Sequence, residues 1–311
     1  MPPVKRIDIL GLGAVAVDDL LYVEVYPPPD GKARVIDRDR QCGGLTAMAL
    51  ATAARLGAHC AYAGVLGDDE LPTFVLSRLH LAGVETSCVQ RKPGARPVHS
   101  SIVVDRRHGT RNIFYDLNGV VGAGTRTTVS LITSARVLFV DNIGVPGMVR
   151  AARLARRAGI PVVADFESDR HRQFPQLLPL ADHLILSQGF AAKLTGARSP
   201  QQAVRKLARS DRQVAVVTCG DKGCWYLARG WSSPKHQPAF KVKAVDTTGC
   251  GDVFHGAYAF ALAKGMALEA RIRFAAATAA LKATRAGGQA GIPSLAAVRK
   301  FLKHEIDHQT R

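Results

Sequence analysis

The chain opens with alternating apolar and polar positions that suit an extended backbone. "RIDILG" reads as a short strand, and Gly11 and Gly13 make a tight turn. "VAVDDLLYVEVY" is a second, β-branched run that stops at Pro27, Pro28 and Pro29. In "GGLTAMALATAARLG" (residues 43–57) two glycines open an Ala-rich helix and Gly57 closes it. "CAYAGVLGDD" reads as a strand entering a turn. "LPTFVLSRLHLAGV" reads as a helix that Gly83 ends. Residues 99–105 and 110–116 alternate on either side of "RRHG" and predict a β-hairpin.

From Val137 the pattern changes. "VLFVD", "IPVVAD", "HLILS" and "VAVVTCG" are short unbroken apolar runs, separated by helical stretches that start near Pro146, Phe174, Gly189 and Pro200. Such strands are buried on both faces, which predicts an α/β fold with a parallel sheet between helical layers. Hairpin material is confined to the first 120 residues, at about 20–40 and 97–117. It predicts a small β-sheet inserted into one large domain over residues 1–311. No Ser/Gly/Pro linker and no internal repeat divides the chain.

Composition narrows the choices. With 311 residues, 47% of them hydrophobic, the chain can bury a sizeable core. No uncharged apolar stretch reaches about 18 residues, so no membrane helix is expected. Asp8, Asp18 and Asp19 bracket the first apolar run, which does not suit a signal peptide, and the cytoplasm is the expected location. Cys42, Cys60, Cys88, Cys219, Cys224 and Cys250 form no CxxC pair, which predicts free thiols. The net charge of +17 favours an anionic partner. Its densest cluster, Arg150, Arg153, Arg156 and Arg157, has the spacing of one solvated helix face. No basic block carries interleaved aromatics, so a nucleic acid is not expected, whereas an attractive field for a polyanion such as ATP needs no dedicated motif.

"GLGAVA" loosely fits a dinucleotide fingerprint, but that motif needs a helix where Val15, Val17, Val23 and Val25 favour strand. "VDTTGCGDVFHGAYAFALA" (residues 245–263) carries more. Val245 closes a strand-like segment, residues 246–248 turn, and an apolar helix begins at about Asp252. Gly249 and Gly251 leave the first amides of that helix uncovered, and those amides have no partners within the helix. With the helix dipole they make a site for phosphate or a developing oxyanion. Asp252 stands beside it, placed to take a proton from an attacking hydroxyl. A plain Asp-capped helix would not need both glycines.

"DTTGCGDVFHGAYAF" resembles the second signature of the ribokinase-like (PfkB) carbohydrate kinases, D-T-x-G-A-G-D-x-F, with Cys250 for Ala. "GLGAVAVD", "CGGLTAMALATAARLGA", "GVLGDD", "VVTCGDKG" and "ALKATRAGGQAGIP" resemble further family segments, in order, over nearly the whole chain. The resemblance implies a Rossmann-like three-layer α/β/α fold with a β-sheet lid, and ATP-dependent phosphorylation of a sugar with Mg2+. Asp252 would be the general base, and the amides of Gly249, Cys250, Gly251 and Asp252 the anion hole. Asp18, Gly43 and Gly44 would hold sugar hydroxyls. Thr218, Gly220 and Gly223, with Ser187, would line the nucleotide. Asp246 and Thr248 would resemble ligands of the family's monovalent-cation site, for K+.

Three positions depart from the family pattern. Met48 stands where an Asn contacts sugar. Ser187 and Phe190 replace both polar members of N-x-x-E, which leaves water or another acid, such as Asp165 or Glu167, for Mg2+. Cys250 lies in the anion hole and is expected to stay a neutral thiol. "HQPAFKVKAVDTTG", "ALKATRAGGQAGIP" and Lys32 in "DGK" look most like the sulfofructose kinase branch, whereas Tyr115 and Ile143 do not. Lys32 and Arg111 are candidates to meet an anionic substituent of the substrate. Val23, Val25 and Val35 are expected to be exposed on the lid, where a second copy would dimerise. The competing reading is a non-catalytic sugar- or nucleotide-binding regulator on the same fold.

Overall fold

The computed structural model describes residues 6–309. Its strands are β1 (Ile7–Gly11), β2 (Ala16–Val23), β3 (Val35–Gly43), β4 (Cys60–Tyr62), β5 (Val65–Leu66), β6 (Val84–Glu85), β7 (Gln90–Arg91), β8 (Val98–Asp105), β9 (Thr110–Asp116), β10 (Ala135–Val140), β11 (Val162–Asp165), β12 (His183–Ser187), β13 (Val214–Thr218), β14 (Cys224–Ala228) and β15 (Lys235–Gln237). Its helices are α1 (Leu45–Arg55), α2 (Glu70–Leu81), α3 (Val129–Thr133), α4 (Val145–Arg157), α5 (Phe174–Leu177), α6 (Gln188–Thr195), α7 (Pro200–Leu207), α8 (Cys250–Ala263), α9 (Leu268–Ala283) and α10 (Leu295–Gln309).

The main sheet runs β15-β14-β13-β12-β11-β10-β1-β4-β6. It is parallel from β13 to β6. Its apolar strands feed two cores. Ile9, Val137 and Phe139 join side chains of α1, α8 and α9, whereas Leu10, Leu138 and Val140 join those of α4, α6 and α7. Fully burying one such side chain stabilises the fold by about 1.5–3 kcal/mol. Helices α1 and α8 approach very closely. A methyl placed on Gly256 would lie 2.3 Å from the Ala49 carbonyl oxygen, so this crossing needs a glycine.

A separate four-stranded sheet has the order β3-β2-β8-β9. β2 is antiparallel to β3 and parallel to β8, and β8 and β9 form the predicted hairpin. The register sets Gln41, Asp18, Ser100 and Tyr115 in one row, and Asp37, Tyr22, Val104 and Arg111 in another on the same face.

Several expectations need correction. Val245 lies in no strand and is exposed, because residues 238–249 cross the surface as loop. Helix α8 starts at Cys250, two residues before the expected Asp252. Antiparallel pairing is not confined to the first 120 residues, since β13, β14 and β15 meander at the sheet edge. Val23 is buried and Val25 and Val35 are partly buried. The lid's exposed apolar side chains are Ile36, Ile113, Phe114 and Tyr115. The α4 arginines do line the outer face of an amphipathic helix, with Arg150, Arg153 and Arg157 exposed and Arg156 half-buried, but two of them are anchored. Arg156 donates to the Pro179 carbonyl at 3.0 Å and pairs with Asp182, and Arg150 donates to the Thr127 carbonyl.

Candidate active site

The start of α8 has the expected character. Gly249 caps it with φ 72°, a left-handed conformation that favours glycine. The Cys250 N–H donates to the Thr247 carbonyl at 3.2 Å, so that amide does not join the open set. Among the described residues no hydrogen bond occupies the N–H groups of Gly249, Gly251 or Asp252. Three open amides at a helix N-terminus remain, with the positive end of the dipole behind them. Burial pushes the Cys250 thiol up, against the downward pull of a helix start, in line with a neutral thiol.

Asp252 sits in the first turn and is partly buried. Burial, then the nearby Asp165 carboxylate, pushes its carboxyl well above the usual carboxylate range. His255, one turn on, fixes this stretch. Its Nδ1 lies 2.8 Å from the Gly251 carbonyl and 3.3 Å from Asp165 Oδ2, and its Nε2 lies 3.1 Å from the Ile185 carbonyl. One buried imidazole thus ties α8 to the end of β11 and the middle of β12. The sequence signal for this role is a histidine inside an apolar helix.

Asp141 was also missed. It is buried just after β10. Its Oδ2 accepts the Ala14 N–H at 2.6 Å and the Thr46 hydroxyl at 2.7 Å, and its Oδ1 accepts the Ile143 N–H at 2.8 Å. Burial pushes its carboxyl up to about 6 despite those donors. The residue pins the β1–β2 turn to the first turn of α1. Gly13 is glycine because a methyl there would stand 2.1 Å from Asp141 Oδ2.

The predicted sugar side comes together in the same way. A methyl on Gly43 would lie 2.2 Å from Asp18 Oδ2, and Gly44 has φ 97° against the Val15 backbone. Burial pushes the Asp18 carboxyl up, opposed by a hydrogen bond from Ser100. Gln41, in the Asp18 row, accepts the Gly288 N–H at 3.3 Å, so this row faces the loop beside the start of α8. Met48 is buried, and its Cε would lie 3.1 Å from a methyl on Gly249. It packs the floor behind the helix start with Val253 and Ile292. Arg111 reaches across from β9 and donates to the Thr248 hydroxyl. Lys32 stays exposed on the loop between β2 and β3.

The predicted nucleotide residues cluster at the ends of β12 and β13. Ser187 pairs in register with Thr218. Ser187 Oγ caps α6 by accepting the Phe190 N–H at 3.3 Å. Phe190 turns inward against Phe174, so neither position offers an acid. Gly220 and Gly223 have φ 59° and 83°. A methyl on Gly223 would stand 2.0 Å from the Gln237 carbonyl oxygen, so only glycine allows this turn. Among the described residues no group of three or more His, Cys, Asp or Glu side chains is arranged to hold a metal. A magnesium ion that arrives on phosphates needs fewer protein ligands, and the exposed Glu167 fits that role better than Asp165, which is committed to His255.

Asp246 Oδ1 accepts the Thr248 N–H at 2.8 Å and Oδ2 the Gly287 N–H at 2.9 Å. Burial acts against the ionised form but is outweighed by these donors and by Lys282, so the carboxyl is held below its usual range. The fully buried Lys282 ammonium donates to the Asp246 carbonyl at 2.9 Å and lies 3.4 Å from Oδ2. A potassium ion does not fit these residues, because a cation already holds the oxygens that would ligate it.

Open helix-start amides, an adjacent carboxyl of raised pKa and a β lid at the carboxyl ends of a parallel sheet are the equipment of a phosphotransferase. The pattern of the pfkB family carbohydrate kinase matches residues 9–295, and the chain belongs to that family. It is 30% identical over 287 residues to fructokinase-1 of Oryza sativa subsp. japonica, covering 84% of this chain and 88% of that one. With ribokinase of Mus musculus it shares 29% over 270 residues, 81% of each chain. Among solved structures, an Agrobacterium tumefaciens protein provisionally assigned as a ribokinase superposes with a TM-score of 0.90, at 29% identity over 97% of this chain and 99% of that one. Arabidopsis thaliana ribokinase, solved with ribose and ATP, gives 0.85 at 24% identity over 96% and 99%, which supports the fold alone. The fold is thus the ribokinase-like α/β architecture with a separate β-sheet lid, and the chain is a carbohydrate kinase. No helix among the described residues is long and apolar enough to cross a membrane.

Proposed function

We propose that the chain acts as one kinase unit that transfers the γ-phosphoryl group of ATP to a hydroxyl of a small sugar or sugar derivative. The observation that carries this reading is the pairing of three open amides at Gly249, Gly251 and Asp252 with the Asp252 carboxyl in the same helical turn. Asp252 takes the proton of the sugar hydroxyl. The sugar oxygen bonds to the γ-phosphorus as the bond to the ADP oxygen breaks, and the open amides hold the charge on the transferring group. Magnesium, when bound with ATP, would neutralise phosphate charge, and the exposed Glu167 would help to hold it. Asp18, Gly43 and Gly44 orient the sugar. Ser187, Thr218, Gly220 and Gly223 line the nucleotide.

Arg111, already in reach of Thr248, supports an anionic substituent on the sugar, with Lys32 entering on closure. Phe114, exposed on the lid face opposite Asp18, supports a second copy docking there. Six free thiols support a reducing compartment such as the cytoplasm.

The test is ADP release with a panel of ketoses, pentoses, sugar acids and sulfonated sugars, for the wild type and Asp252→Asn. Sugar-dependent turnover lost in Asp252→Asn is the expected result. Saturable sugar or nucleotide binding with no turnover by the wild type makes the chain a regulator instead.

A further inference from the structure

Lys282 occupies the last turn of α9 and is fully buried, which is rare for a lysine and needs a partner. Its partners are the carbonyl and carboxylate of Asp246, on the turn that leads into α8. The chain has made room for it. A methyl on Gly291 would stand 3.1 Å from Lys282 Cε and 2.8 Å from the Gly287 carbonyl oxygen. The Asp246 carboxylate in turn accepts the Thr248 and Gly287 N–H groups. One ammonium therefore joins three segments: the end of α9, the 287–291 loop and the 246–249 turn.

We infer that Lys282 is a built-in cation that takes the place of a free monovalent ion beneath the 246–249 turn. It neutralises Asp246 and holds the turn in the shape that exposes the Gly249, Gly251 and Asp252 amides. A diffusible ion needs oxygen ligands to be gathered at each binding event, whereas a tethered ammonium is always present. The inference rests on the reading of that turn as the anion hole. Its consequence is that this kinase works without potassium.

The experiment compares wild type and Lys282→Met in buffers of equal ionic strength whose only monovalent cation is K+, Na+ or tetramethylammonium. Two readouts are taken: the melting temperature without ligands, and sugar-dependent ADP release. The wild type is expected to melt at one temperature and turn over at one rate in all three. Lys282→Met, which keeps the length of the side chain but not its charge, is expected to melt lower in tetramethylammonium. It regains several degrees in K+ as the ion binds the vacated oxygens. Its turnover in tetramethylammonium falls about tenfold or more, as expected when an oxyanion site loses its support, and recovers in K+. Wild-type protein that K+ stabilises or activates over tetramethylammonium overturns the inference. So does a Lys282→Met protein that matches the wild type in every buffer. If Lys282→Met does not fold, the wild-type comparison decides alone. If no sugar supports turnover, the melting readout still decides the role of Lys282, and only the kinase reading fails.

Discussion

In the proposed reaction Asp252 is the base, and its environment gives its behaviour a definite sign. Its carboxyl is held well above the usual range, by burial first and by Asp165 second. A base acts only when ionised, so kcat/KM is expected to fall on the acid side at a pH above the ordinary carboxylate range. Substituting Asp165→Asn removes one of the raising charges and shifts that limb to lower pH, which a pH–rate profile reads. The same shift has a stability consequence. A carboxyl whose folded pKa is raised contributes stability that is present below its unfolded pKa and lost as pH rises through the folded one. Asp252→Asn removes that loss. The variant is expected to melt above the wild type at pH 8, with the gap closing as pH falls below 4. At the same time turnover drops by about 10²–10⁴, the usual worth of a general base. Thermal melts across pH check the first effect and steady-state kinetics the second. On the sugar side, Gly43→Ala puts a methyl where Asp18 Oδ2 now lies, 2.2 Å away. It is expected to raise KM for sugar about tenfold or more while leaving ATP affinity unchanged, because displaced positioning groups lose rate steeply. Isothermal titration with each ligand separates the two.

Helix α8 shows how an element makes a site precise. Its start is aimed by two contacts: His255 on the end of β11 and the middle of β12, and Gly256 against α1. Gly256→Ala has to push the Ala49 backbone away, which is expected to cost about 1–3 kcal/mol. Because Met48 and Gly44 belong to the displaced α1 segment, kcat falls with it. Chemical denaturation and kinetics on the same preparation test both halves. This level also marks where the sequence was legible. The strands from β10 to β13, the helix at 43–57, the hairpin at 99–116 and the glycine-framed start of α8 all follow from local pattern, because each carries its own period or its own turn chemistry. The roles of Asp141, His255 and Lys282 do not. An Asp after a strand, a His in an apolar helix and a Lys near a helix end look ordinary until long-range packing removes their water. Nor did periodicity show that residues 238–245, apolar in places, cross the surface as loop. An apolar run becomes a strand only where it pairs in a sheet, and the sheet ends at β15, with residues 238–245 leaving it.

At the scale of the whole molecule the question is what the lid does. Its Asp18 face carries Tyr115 and Ile113, which are 61% and 49% exposed, an unusual setting for large apolar side chains beside a binding site. Both lie on β9, every residue of which is exposed. Yet the same strand sends Arg111 to Thr248, so the lid already touches the main domain next to the open amides. A lid of this kind gains by closing only when there is something beneath it to cover. In the proposed reaction the sugar supplies partners for Asp18 and Arg111, and the nucleotide supplies the phosphate that the open amides receive. Each alone fills one half of the site. Closure that excludes water from the phosphoryl group therefore needs both. Hydrogen exchange is expected to slow over residues 98–116 when sugar and a non-hydrolysable ATP analogue are present together, and to change little with either alone. Arg111→Ala is expected to weaken that joint protection and lower kcat/KM for the sugar, while exchange in the buried strands β10 to β12 stays the same. Equal protection of residues 98–116 by nucleotide alone would mean that the lid reads ATP and not the sugar. The exposed Tyr115 and Ile113 would then serve contact with another chain instead of the closed state.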